Sequence, residues 1–176
     1  MKRLLATVVL MWAVPCLAAA QTAPTKPGPE HQKLGIFVGD WTYEGQTKAT
    51  PLGPAGPYTG KMSARLILGG FCVEFRGEEK GPAGAQEWIE IDSYDPVAKK
   101  FTWNAFDSGG GTQTVTYTFE GTTASVSGIQ VAGGKQYQMR ATVVFAADLK
   151  SFVQKNEILV DGKWVLSAES KSVRVR

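Results

Sequence analysis

His31 is the only histidine in this 176-residue chain, and cysteine occurs twice, at Cys16 and Cys72. A triad that relies on histidine would have to use His31, and no Gly-x-Ser-x-Gly sequence occurs to supply a nucleophile. A cysteine-based metal site cannot be assembled from so few ligands. Positive charge is equally dispersed. No basic run exceeds two residues, as at Lys99-Lys100, which argues against nucleic acid or an anionic membrane surface as the main partner. No segment after Val38 carries a convincing helical period, and no apolar run after Leu17 is long enough to span a bilayer.

What is present begins with a leader. Lys2 and Arg3 precede the apolar run Leu4 to Leu17, and Ala18-Ala19-Ala20 follows. A basic start, an apolar stretch too short for a bilayer and small residues at its end predict a secretory signal peptide over residues 1–20, cleaved after Ala20. The expected location is secreted or periplasmic. Pro15 stands where a lipoprotein signal needs a small residue before its cysteine, so Cys16 is not expected to be lipidated. Cleavage leaves 156 residues, enough for one well-buried domain. It also removes two of 19 basic residues, leaving 17 against 16 acidic ones, a net charge of +1. Cys72 is then alone, so no intramolecular disulfide forms. Its place between Phe71 and Val73 is read as a buried, inert thiol.

Residues 21–29 contain Pro24, Pro27, Gly28 and Pro29 and form a proline-rich linker. Residues 30–176 are read as a single domain. Pro29 and Glu30 suit a helix start, Leu34, Phe37 and Val38 recur at helical spacing, and Gly39 is expected to stop the helix. About ten segments then alternate with period two, each bounded by turn residues. They are Trp41–Ala49, Tyr58–Leu68, Phe71–Lys80, Glu87–Tyr94, Lys100–Asp107, Gln113–Phe119, Thr123–Val131, Gln136–Ala146, Ser151–Val160 and Lys163–Val175. Asp161-Gly162 is a strong type I′ hairpin signal. Short links join antiparallel neighbours, and a long meander removes its edges by closing. The expected fold is all-β, an up-and-down antiparallel β-barrel of about 8–10 strands with a short N-terminal helix.

Alternation sorts the side chains. Tyr137, Met139, Ala141, Val143 and Phe145 share one face and are expected inside. Phe152, Gln154, Asn156, Ile158 and Val160 share another face, and if that face is interior its two amides need partners from the contents of a cavity, unless they bond to neighbouring side chains or lie near a rim. Trp164, Leu166, Ala168 and Ser170 are placed together on the last strand. Trp41, Trp88, Trp103, Trp164, Tyr117, Tyr137, Phe145 and Phe152 could pack the core or line a pocket. Ala64, Ala105, Ala141 and Ala168 leave room for one.

A short helix followed by Gly39-x-Trp41 at the entry to a meander barrel resembles the opening of the calycins, the superfamily of lipocalins and fatty-acid-binding proteins. That resemblance implies a calycin-like barrel with Gly39 and Trp41 in structural roles, Trp41 plugging its closed end. Pro29-Glu30-His31, Leu34, Gly39-Asp40-Trp41, Tyr94-Asp95-Pro96, Lys99-Lys100-Phe101 and Phe106-Asp107-Ser108 together resemble the bacterial domain-of-unknown-function family 1579, which implies the same fold without a substrate. The related nitrobindins hold haem through a histidine near the C-terminus. Here the only histidine precedes the first strand, so haem held in that way is not expected, and His31 is read as a surface or capping residue.

Other chemistry is thin. Glu90, Asp92 and Asp95 come closest to a metal site but are read as solvated on a strand running into a turn, so no metal and no cofactor are expected. Gly109-Gly110-Gly111 lacks the lysine and helix of a phosphate loop. Asp107 is read as starting an Asx turn, with a place at the barrel mouth as the alternative. The leading expectation is a non-enzymatic module holding a small apolar or amphipathic molecule among Trp103, Tyr117, Tyr137, Phe152, Gln154 and Asn156. The alternatives are an enzyme using Asp107 or a glutamate as acid or base, and a filled barrel acting through its surface.

Overall fold

The computed structural model describes residues 26–175. The expected signal peptide and most of the linker lie outside the described residues. A helical turn α1, Pro29–Lys33, tightens into a 3-10 turn over Leu34–Phe37, and ten strands follow: β1 Gly39–Thr47, β2 Gly56–Ile67, β3 Cys72–Gly81, β4 Gly84–Asp95, β5 Lys100–Asp107, β6 Thr112–Glu120, β7 Thr123–Ala132, β8 Lys135–Phe145, β9 Ser151–Val160 and β10 Lys163–Arg174. Each strand pairs antiparallel with its sequence neighbours, and β10 closes on β1 with Trp41 opposite Arg174. The meander therefore has no free edge.

Gly39 does not stop the helix. The turn ends when Val38 leaves helical geometry after its N–H bonds the Gly35 carbonyl, and Gly39, at φ 145°, already pairs with Ala64 as the first residue of β1. The Asp161-Gly162 link has positive φ at both residues, as a type I′ turn requires.

One end of the barrel is sealed by aromatics. Phe37, delivered by the 3-10 turn, meets Phe75 and Phe145 edge-on, each with ring centroids 5.4 Å away. Trp41 is buried against Phe152, and its indole N–H donates to the Phe37 carbonyl at 2.8 Å. The Arg174 guanidinium lies 4.5 Å from the centre of the Trp41 ring and donates to the carbonyls of Val38 and Ile36, both at 2.6 Å, and of Leu149 at 3.1 Å. The last strand thereby ties down the segment that plugs the base.

Alternation holds on β8 and β9, where Met139, Ala141, Val143, Phe145, Phe152 and Ile158 are buried. On β10 it slips. A β-bulge between Leu166 and Ala168 inserts Ser167 as an unpaired residue. Before the bulge Val165 stands opposite Ile158 and points inward. After it Ala168, Ser170 and Ser172 do. Trp164 and Leu166 are consequently not on the inner face with Ala168. Trp164 is exposed and lies beneath the Arg140 guanidinium, 4.6 Å from its ring centre. Cys72 is half-buried rather than buried, because on β3 the inner positions belong to Val73 and Phe75.

Candidate functional site

Above the aromatic floor the barrel holds a cavity of about 490 Å³ that reaches the mouth formed by the β1–β2 loop and the β3–β4, β5–β6 and β7–β8 hairpins. That volume falls within the range of small-molecule sites. It is far more than the one or two waters a filled barrel would leave.

One wall of the cavity is built from flat rings laid over glycines. Tyr43 of β1 stands opposite Gly60, and Tyr58 of β2 opposite Gly45. A Cβ at Gly60 would sit 2.3 Å from the Tyr43 ring, and one at Gly45 would sit 2.7 Å from the Tyr58 ring. The missing side chains let the rings lie against the sheet and leave the interior open. Trp88 donates from Nε1 to the Tyr43 hydroxyl at 3.1 Å, and that hydroxyl donates to Glu79 at 3.2 Å. Burial pushes Tyr43 far above its ordinary value and raises Glu79, with the charge of Asp107 raising Glu79 further.

β4 is inverted relative to its apparent pattern. Ile89 and Ile91 are exposed, whereas Trp88, Glu90 and Asp92 line the cavity. The register explains this. The Asp95–Lys100 turn sets Asp92 opposite Trp103 and Glu90 opposite Ala105, and β5 turns Phe101, Trp103 and Ala105 inward. Asp95 does serve its turn, accepting from the N–H groups of Val97 at 2.8 Å and Ala98 at 3.0 Å.

Asp92 is only 2% exposed. Its Oδ2 accepts from the Tyr117 hydroxyl at 2.6 Å, while its Oδ1 is buried without a partner. Trp103 Nε1, on the facing strand, is likewise buried and unpartnered. Burial raises Glu90 well above the usual carboxylate range, and the neighbouring Asp92 charge adds to the effect. Burial lifts Asp92 from 3.8 to about 7, against the bond from Tyr117 that favours its charged form. Tyr117 is pushed up by burial and by Asp92. Two buried carboxyls two residues apart on one face of β4, inside an aromatic pocket, can accept a hydrogen bond, donate one, or exchange a proton with a guest.

Of the residues expected to meet a ligand, Trp103, Tyr117, Phe152, Gln154 and Asn156 line the cavity together. Tyr137 does not. It packs against the core near the start of β8, two residues before Met139. The two amides pair with each other, Gln154 Nε2 donating to Asn156 Oδ1 at 2.9 Å. Asp107 both forms its Asx turn, accepting from the N–H groups of Gly109 at 2.8 Å and Gly111 at 2.9 Å, and lines the mouth. His31 caps nothing with its side chain. Its ring packs edge-on against Phe71 and Tyr94. No group of His, Cys, Asp and Glu among the described residues could hold a metal ion, and no described helix is long and apolar enough to cross a membrane.

Reading residues alone missed Glu79, Glu90 and Asp92. The available signal was partial: counting across the Asp95-Pro96 turn sets Asp92 opposite Trp103, but which face of that pair turns inward is fixed by the closed barrel.

A family model described as a protein of unknown function, DUF1579, matches residues 26–174. No curated protein matches the chain. The fold is similar to the crystal structure of Rv2717c from M. tuberculosis, with a TM-score of 0.61 and 12% identity over 85% of this chain and 99% of that one. It is also similar to the S-type phycobiliprotein lyase CPES from Guillardia theta, with a TM-score of 0.54 and 11% identity over 84% of this chain and 93% of that one.

Proposed function

Because the chain belongs to the DUF1579 family, whose description carries no activity, we propose from the cavity itself that this is a binding module for a small amphipathic molecule. The reading rests on one observation. Asp92 Oδ1 and Trp103 Nε1, an acceptor and a donor on facing strands, are buried at the cavity wall without partners. Such groups cost on the order of 1–3 kcal/mol each when unsatisfied, and a guest with its own donor and acceptor would satisfy both. The rings of Trp88, Tyr58 and Phe152 would take its apolar body, and Gln154 and Asn156 would face its remaining polar atoms. The similar phycobiliprotein lyase supports the reading only as a barrel of the same shape. We place the protein outside the cytoplasm on the strength of its leader sequence.

Fluorescence of the neutral dye N-phenylnaphthylamine tests this. The dye should brighten on adding the protein, and Ala105→Trp, which fills the cavity without removing a polar group, should abolish the response. A dye that stays dark, or that binds Ala105→Trp equally well, overturns the reading.

The buried Asp92 favours a second reading, in which the carboxyl pair moves a proton on the guest. In heavy water a molecule co-purifying with the protein would then take up deuterium faster with the wild type than with Asp92→Asn. Equal behaviour with both proteins would dismiss it.

A further inference from the structure

We propose that the cavity selects organic cations, an amine or N-alkylated ammonium carried on an apolar body, and rejects carboxylate amphiphiles. This rests on the binding reading above and names its ligand class.

Charge inside the barrel is one-sided. Glu79, Glu90, Asp92 and Asp107 line the cavity, against Lys48 alone, which sits in the loop at the mouth. No arginine or histidine lines it among the described residues. The acids are also confined to one wall, β3 to β5, while β7 to β10 contribute only uncharged lining residues such as Gln130, Gln154 and Ser170. A carboxylate guest would enter a low-dielectric space already occupied by four acidic groups and find no buried cation to pair with. An ammonium group finds the reverse. Asp92 Oδ1, with no partner and almost no exposure, is an acceptor waiting at the depth of the pocket.

The acids do not stand alone. Trp88, Trp103, Tyr43 and Tyr58 line the same space, and aromatic faces attract a cation most strongly where water is excluded. The titratable groups facing the Glu90–Asp92 pair are Tyr117 of β6, Tyr43 of β1, Tyr58 of β2, Glu79 of β3 and Asp107 of β5. None is cationic. Burial favours the protonated form of Glu90 and, beside it, holds a proton on Asp92. An arriving ammonium ion replaces that proton as the positive charge beside Asp92, and the proton leaves to solvent.

Competition against bound N-phenylnaphthylamine decides the matter, with decyltrimethylammonium and decanoate as a pair matched in chain length. The cation should displace the dye at a concentration at least about tenfold lower than decanoate. In Glu90→Gln, Asp92→Asn protein, which keeps the shape of the wall, that preference should vanish while the dye still binds. Near-ultraviolet circular dichroism of the variant checks that its aromatic packing is retained, and the single Asp92→Asn change repeats the test if the double variant does not fold. Decanoate displacing the dye as well as or better than the cation overturns the cation proposal and leaves the binding reading standing. A preference for the cation that survives both variants also overturns it. A dye that never binds sinks the binding reading first.

Discussion

The indole of Trp88 lies flat on the bare α-carbon of Gly77, its partner across the β3–β4 ladder. A Cβ placed on Gly77 would come within 2.3 Å of two atoms of that ring. The pair holds Trp88 where its N–H reaches Tyr43, so one missing methyl group keeps both rings against the wall and the cavity open.

Gly77→Ala must therefore push Trp88 into the cavity. The substitution will cost about 1–3 kcal/mol from overpacking and the lost bond to Tyr43. Thermal melts will show a lower midpoint, and tryptophan emission will shift as the indole moves. An unchanged midpoint would mean that the wall has slack elsewhere.

Asp92 gives stability a pH dependence of defined sign. In the unfolded chain it releases its proton near 3.8, whereas in the barrel it keeps it to about 7. The folded protein binds more protons between those values, so this contribution is fully present below the lower one and is lost as the pH rises through the higher one. The loss is on the order of a few kcal/mol, and Glu90 acts in the same direction. Denaturant titrations should show Asp92→Asn gaining on the wild type as the pH is raised through this window. Parallel curves would contradict the assigned burial of the carboxyl.

Arg174 binds the N-terminal turn to the last strand through three carbonyls and the Trp41 ring. Arg174→Ala will cost about 2–4 kcal/mol, since the carbonyls lose charged donors. Arg174→Lys will not restore the loss, because a single ammonium cannot serve all three acceptors and also stack on the indole. Chemical denaturation of the three proteins measures this, and full rescue by lysine would show that charge alone suffices.

Secretion makes a separate prediction. Expressed with its own N-terminus in a Gram-negative host, the protein should be recovered from the periplasm with a mass corresponding to a chain beginning at Gln21. A full-length chain in the cytosol would refute it.

Much of this was legible in the residues. The limits of β5 and β9 follow directly from turn residues, as Lys100–Asp107 and Ser151–Val160. Trp103, Tyr117, Phe152, Gln154 and Asn156 do share one cavity. Tyr137 shares the inner face of β8 and packs on the core as alternation requires, but alternation does not say which inward residues border the open space. Trp164 was misplaced because the extra residue at Ser167 reverses the alternation on its N-terminal side.

The chain's own pattern, with period-two segments, glycine and proline turns and short links, determined an antiparallel meander barrel of about eight to ten strands, since local geometry leaves antiparallel neighbours little choice, and the structure fixed ten with β10 closing on β1. Only the tertiary structure decided which face of β4 looks inward. Read alone, Ile89 and Ile91 are the natural core and Glu90 and Asp92 the natural surface. Pairing with β5 in a register set by the Asp95 turn reverses them. A strand cannot rotate one side chain inward without turning its whole face, so the cost of burying two carboxyls was settled by the neighbours that hold that face in place.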